Sequence, residues 1–146
     1  MSKQINFRAD QRLLDELSSL TLENGTRTGT IETIIHSYAA LRKEELRSLK
    51  GTFNEAEIKY LVDMLNSTII DPQFAGKPEL LAHEVEDADK YEGLGEKWAV
   101  DSQSLLEKVN SLSPGSCMFL QQEIRRWWDN QTGGENELDE FVKKLI

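Results

Sequence analysis

Polar and apolar residues alternate near the N-terminus, where residues 4–8 read Gln4, Ile5, Asn6, Phe7, Arg8. Successive side chains of an extended strand point to opposite faces, so the three polar side chains would share one face. Glutamine, asparagine and arginine carry the paired donors and acceptors that match adenine and guanine edges in the major groove. The segment therefore predicts a short strand whose polar face, Gln4, Asn6 and Arg8, contacts DNA bases.

Two amphipathic helices are predicted after this strand. Leucines recur at helical spacing over residues 13–20, and a second stripe runs from Ile31 through Tyr38 to Leu41, with Thr28 as the predicted cap of its helix. A lone five-residue strand with one apolar face is not stable in water, because its backbone groups and apolar side chains need a partner. A second copy of the chain is the simplest partner.

Residues 1–46 resemble the ribbon-helix-helix family of DNA-binding repressors in the order strand, helix, helix and in the motif Q-I-N-F-R at residues 4–8. The resemblance implies an intertwined homodimer that places a two-stranded ribbon in the major groove of double-stranded DNA, with Gln4, Asn6 and Arg8 reading bases. It also implies that the start of the second helix binds a DNA phosphate. The residues concerned are Arg27, Thr28, Gly29 and Thr30. Two alternatives stay open: an edge strand that pairs within its own chain, and a helix-turn-helix over residues 13–42.

The acidic charge of the chain lies in its C-terminal two thirds. The whole chain has a net charge of −9, yet residues 1–46 hold six basic and seven acidic side chains, whereas residues 51–146 hold nine basic and nineteen acidic ones. Helical stripes and capping residues predict an all-helical domain over residues 52–146, after a linker at 47–51. The predicted fold class is thus mainly α, with an N-terminal ribbon-helix-helix of one short strand and two helices followed by an all-helical domain that oligomerises or binds a protein.

Two adjacent tryptophans follow two arginines in the predicted helical domain, at residues 125–128. Neighbouring helical residues point about 100° apart, so both indoles cannot enter one core cleft. Tryptophan and arginine are enriched at binding hot spots, which predicts a partner or oligomer interface at Arg125, Trp127 and Trp128. The alternative is one tryptophan in the core and the other at the edge of the bundle.

Catalytic and metal-binding patterns are weak. His83 and Glu84 begin a zincin-like sequence, but Asp87 stands where a second histidine is required, and the one cysteine, Cys117, lies on an apolar helical stripe. We therefore expect no metal, no cofactor and no enzymatic activity. No run of about 18 apolar residues or signal peptide is apparent, so we expect a cytoplasmic protein with no membrane contact.

These features together predict a sequence-specific transcriptional regulator, a repressor that acts as a homodimer or as a higher oligomer on DNA. The alternative is an antitoxin-like or inhibitor protein, whose acidic domain neutralises a target while its N-terminal domain regulates its own promoter. Neither the operator, an effector nor the protein partner follows from the sequence.

Overall fold

The structure is a computed structural model that describes residues 11, 12, 15, 27–66 and 74–146. The chain divides into two compact units, Met1–Ala40 and Leu41–Ile146. Gln11, Arg12 and Asp15 have helical backbone, in the region where the first helix was predicted. The helices whose bounds are given are α1 (Arg27–Leu49), α2 (Glu55–Met64), α3 (Pro78–Asp87), a π-helix (Ala88–Glu92), α4 (Leu94–Trp98), α5 (Ser102–Asn110), α6 (Pro114–Asn130) and α7 (Glu137–Leu145).

The predicted fold class is wrong. The described residues contain helices and no strand, whereas a ribbon-helix-helix fold followed by a helical domain requires a strand at its N-terminus. Residues 4–8, where that strand was predicted, lie outside the described residues. A five-residue strand needs a second strand to bond its backbone, and none of the described residues forms one.

Helix α1 is longer at its start than the sequence predicted. It begins at Arg27, one residue before Thr28, so Thr28 lies in the first helical turn and not at the cap. It ends at Leu49, and Gly51 then takes a φ of 85°, a left-handed conformation that glycine adopts without steric cost. The helix therefore includes the first three residues of the segment 47–51 that was predicted to be a linker.

Short-range side-chain chemistry sets the starts of α2, α5 and α6. At the start of α2, the amide of Glu57 donates to Asn54 Oδ1 at 2.8 Å and the amide of Asn54 donates to Glu57 Oε2 at 2.9 Å, which is a complete capping box. The side chain of Asp101 caps α5, and that of Ser113 caps α6. Each of these starts is determined locally, because the cap bonds within its own first turn.

The hydrophobic core of the unit Leu41–Ile146 is formed by the apolar stripes of α2, α3, α5, α6 and α7. Tyr60, Val85, Leu105, Ile124 and Val142 each expose 1% or less of their surface. The Tyr60 hydroxyl donates to the Val85 carbonyl at 2.8 Å, which satisfies its polar atom within the core. Burial raises the pKa of Tyr60 to about 12, so this hydroxyl stays protonated at neutral pH.

Glu45, near the end of α1, lies at the N-terminus of α6. Its Oε2 accepts hydrogen bonds from Ser113 Oγ at 3.0 Å and from Ser116 Oγ at 2.6 Å. The carboxylate is favoured there because the N-terminus of a helix carries partial positive charge. Gly115 permits this approach, since a Cβ at that position would lie 2.8 Å from Glu45 Oε1. Helix α6 is thus capped by Ser113, and Glu45 from another helix bonds the serine hydroxyls of the same first turn.

Candidate DNA-binding and partner-binding sites

The predicted base-reading residues, Gln4, Asn6 and Arg8, lie outside the described residues. Their role stays a prediction that depends on their residue types and spacing.

The predicted phosphate site falls on the first turn of α1. The side chains of Arg27 and Thr28 lie outside the described part of the chain, while Gly29 and Thr30 are within the helix. Thr30 is only 2% exposed, and its Oγ1 is the one buried side-chain polar atom among the described residues that makes no hydrogen bond. A hydroxyl this buried cannot reach a DNA phosphate, so a phosphate contact at this position has to come from the backbone amides of the turn.

Helix α1 exposes an apolar face within the unit Met1–Ala40. Ile34, Ile35 and Tyr38 expose 41%, 60% and 42% of their surface. A homodimer of the kind that the family resemblance implies would bury these residues between the two copies. In the single chain they face solvent, which leaves three large apolar side chains side by side on one helix.

Trp128 is held within the helical unit. Its Nε1 donates to the Val62 carbonyl of α2 at 2.9 Å, and its indole packs against the core. Arg125, which was also assigned to the interface, forms an ion pair with Asp129 one turn further along α6, with 3.3 Å between Nε and Oδ1. Both side chains therefore have structural contacts inside the chain, and their role in an interface stays a prediction.

Trp127 has a different position from Trp128. Its ring meets the Trp128 ring edge-on, with centroids 4.9 Å apart, and stacks on Phe141 of α7 at 5.7 Å. Trp127 and Phe141 form part of the wall of an open groove of about 280 Å³ between α6 and α7. We call this the α6/α7 groove; its lining residues are Glu123, Arg126, Trp127, Asn130, Gln131, Glu137, Glu140, Phe141 and Lys144.

One carboxylate connects this groove to helix α1. Glu123 forms an ion pair with Arg42 of α1 and lies 3.7 Å from Arg126 of the groove. Only 18% of the Glu123 side chain is exposed, so the carboxylate is shared by two guanidinium groups in a partly buried position.

Most of this groove was not predicted from the sequence. A signal for it was present, since Glu137, Glu140, Phe141 and Lys144 recur at the spacing that places them on one face of a helix. The spacing of residues within α7 does not specify which face of α6 packs against this helix, because that depends on the tertiary structure.

Cys117 lies in the core with no exposed surface. Its Sγ accepts a hydrogen bond from the Gln121 side chain at 3.3 Å. Burial raises the pKa of the Cys117 thiol to about 11, an effect that the Gln121 hydrogen bond partly offsets. A protonated, inaccessible thiol is not a nucleophile, so Cys117 acts as a core side chain.

This burial predicts slow thiol chemistry. At pH 8, the native chain should react with a disulfide reagent at least about 100-fold more slowly than the chain unfolded in denaturant, because both the thiolate fraction and the access are low. The rate of absorbance change measures this, and Cys117→Ser provides the zero-reaction control. Similar rates in native and unfolded protein would show that the thiol is accessible.

No family model matches the chain, and neither does any curated protein or solved structure. None of the helices in the described ranges combines the length and the apolar character needed to cross a membrane. The described residues also bring together no group of three or more His, Cys, Asp or Glu side chains that is arranged to hold a metal ion. A function for the chain therefore has to follow from the chemistry of its own residues.

Proposed function

We propose that the chain is a cytoplasmic, homodimeric transcriptional regulator that binds specific DNA through its N-terminal segment. The observation that carries this proposal is the exposed apolar face of α1, formed by Ile34, Ile35 and Tyr38. Three large apolar side chains on one helix are unfavourable in water, and packing against the same face of a second copy removes them from it. A dimer would also present two copies of residues 4–8, as a two-fold operator requires.

The charge distribution supports assigning DNA binding to the N-terminal part. Residues 51–146 carry nineteen acidic and nine basic side chains, so that part repels the phosphate backbone. Residues 1–46 are nearly neutral and contain Gln4, Asn6 and Arg8, whose side chains have the donors and acceptors suited to base edges. Close, specific contacts then contribute more to binding than a long-range basic field.

A second candidate is an antitoxin-like or inhibitor protein whose helical domain binds a protein target. The α6/α7 groove favours it, because two aromatic rings and five charged residues line a surface that the described chain leaves open. The two functions are compatible, since DNA binding through the N-terminal segment would then regulate expression of the inhibitor itself.

The test is selection of DNA sites from a random library with the full-length chain, followed by binding measurements on the selected site. We expect Asn6→Ala and Arg8→Ala to reduce the discrimination between selected and scrambled DNA by about 1–3 kcal/mol each, because each removes one base contact. Lys143→Ala removes an exposed charge from α7 and is the matched control for Arg8→Ala. If no site is enriched, or if both N-terminal variants select the parent site with the same preference, the DNA-binding proposal is wrong.

A further inference from the structure

The three carboxylates that line the α6/α7 groove differ in whether they have a partner within the described chain. The Glu137 carboxylate accepts hydrogen bonds from the Thr132 hydroxyl and from the backbone amides of Thr132 at 3.0 Å and Gly133 at 3.2 Å, and these bonds, that of the hydroxyl most of all, lower the pKa of Glu137. Glu123 is shared with Arg42 and Arg126, as described above. Glu140, in contrast, is exposed and forms no ion pair with any described residue. The groove thus has one carboxylate that is free to bind a cation from outside.

The aromatic wall of the groove has the same preference for a cation. The face of a tryptophan ring attracts ammonium and guanidinium groups. Elsewhere in this unit, Lys77 lies 5.0 Å from the centroid of the Phe74 ring and Lys97 lies 5.3 Å from that of Trp98. None of the described residues places a cation over the ring of Trp127. An incoming cation can therefore contact a tryptophan ring and an unpaired carboxylate in the same groove.

We propose that the α6/α7 groove binds an arginine or lysine side chain presented by a basic segment of a protein partner. This inference rests on the part of the proposed function that assigns protein binding to the helical domain. The cation contacts the Trp127 ring and pairs with Glu140, while its aliphatic stem packs against Phe141. The groove volume of about 280 Å³ is just below the range for small-molecule pockets, and it suits one or two side chains.

The charge of the whole domain selects the same class of partner. An excess of ten acidic side chains over residues 51–146 attracts a basic segment and raises its association rate. The same excess repels a second copy of this domain and repels nucleic acid. An acidic peptide has only two groove cations to meet, Arg126 and Lys144, of which Arg126 is already close to Glu123.

The experiment is a titration of the full-length chain with synthetic ten-residue peptides, monitored by tryptophan fluorescence and by calorimetry. The parent peptide carries two arginines separated by leucine in an otherwise glycine-serine sequence, and in its relatives both arginines are replaced by lysine, glutamine or glutamate. We expect the arginine and lysine peptides to bind and the glutamine and glutamate peptides to bind at least about 10-fold more weakly, because they lack the cation.

Two exposed substitutions give effects of opposite sign. Glu140→Gln should weaken the arginine peptide about threefold, which is the scale of an exposed ion pair, whereas Lys144→Gln should strengthen it by removing a like charge. Glu135→Gln and Lys143→Gln change the same charges outside the groove lining and are the matched controls. Circular dichroism of each variant establishes that the helices are intact.

Three results overturn the proposal. Preferential binding of the glutamate peptide would show that the groove takes an acidic partner. Equal effects of the groove variants and their controls would show that only the general charge of the domain attracts the peptide. Dimerisation of the chain that changes in the Glu140→Gln variant would show that the groove binds a second copy of the chain. None of these outcomes depends on DNA selection, so failure here is distinguishable from failure of DNA binding.

Discussion

Replacing Ile35 with glutamate is expected to convert the chain from a dimer to a monomer and to remove specific DNA binding. Ile35 is the most exposed member of the apolar face of α1, with 60% of its surface open in the single chain. In a dimer formed through this face, each copy would bury an unpaired carboxylate, which costs at least about 2 kcal/mol per side chain. DNA affinity should fall with dimerisation, because one copy provides half of the base contacts.

Light scattering over a range of protein concentrations measures the first effect, and titration of the selected DNA site measures the second. Leu80→Glu is the matched control, since Leu80 is a large apolar residue on α3 with 41% exposure, equal to that of Ile34. A dimeric Ile35→Glu variant with parent DNA affinity would contradict the assignment of α1 as the interface. A monomeric parent chain would contradict it more directly.

Replacing Lys108 with methionine is expected to cost about 2–4 kcal/mol in the free energy of unfolding. Glu57 is 3% exposed, and Lys108 Nζ lies 2.9 and 2.8 Å from its two carboxylate oxygens. Without Lys108 the buried carboxylate keeps its bond to the Asn54 amide but has no cation partner. The expected cost is below that of a fully buried pair because 34% of the Lys108 side chain is in contact with solvent.

Equilibrium denaturation in urea measures this loss, and a double-mutant cycle isolates the pair. Glu57→Gln keeps an oxygen for the capping box while removing the charge, so Lys108→Met should be much less costly in that background. A Lys108→Met penalty that is the same with Glu57 and with Gln at that position would show that the loss does not come from pairing with the Glu57 charge.

Helices of the C-terminal part can be predicted from the sequence where the residues that determine their ends lie close together in the chain. Asn54 and Glu57 are three residues apart, and Ser113 bonds the amide of Ser116, so each cap is complete within one turn. The strand at residues 4–8 was predicted from an alternation of only five residues, which carries little information unless a pairing partner is known. The π-helix Ala88–Glu92 has no distinctive sequence pattern and was not predicted.

The candidate sites followed from the sequence less well than the helices. The tryptophan pair was identified as unusual, but the hydrogen bond from Trp128 to the Val62 carbonyl joins residues 66 positions apart, and no local pattern specifies it. The ion pair from Arg42 to Glu123 spans 81 positions. Such contacts depend on how α1, α2 and α6 pack together, so the residue types of the groove can be read from the sequence but their arrangement cannot.

The contact between Glu45 and the start of α6 has an evolutionary consequence. Because a Cβ at residue 115 would lie 2.8 Å from Glu45 Oε1, any side chain there displaces the carboxylate from the serine hydroxyls that it bonds at the start of α6. Residues 45 and 115 are therefore not free to change separately, although seventy positions separate them. In natural variants of this chain, loss of the glycine should accompany loss of the glutamate, and the Ser113 and Ser116 hydroxyls would then lose this acceptor.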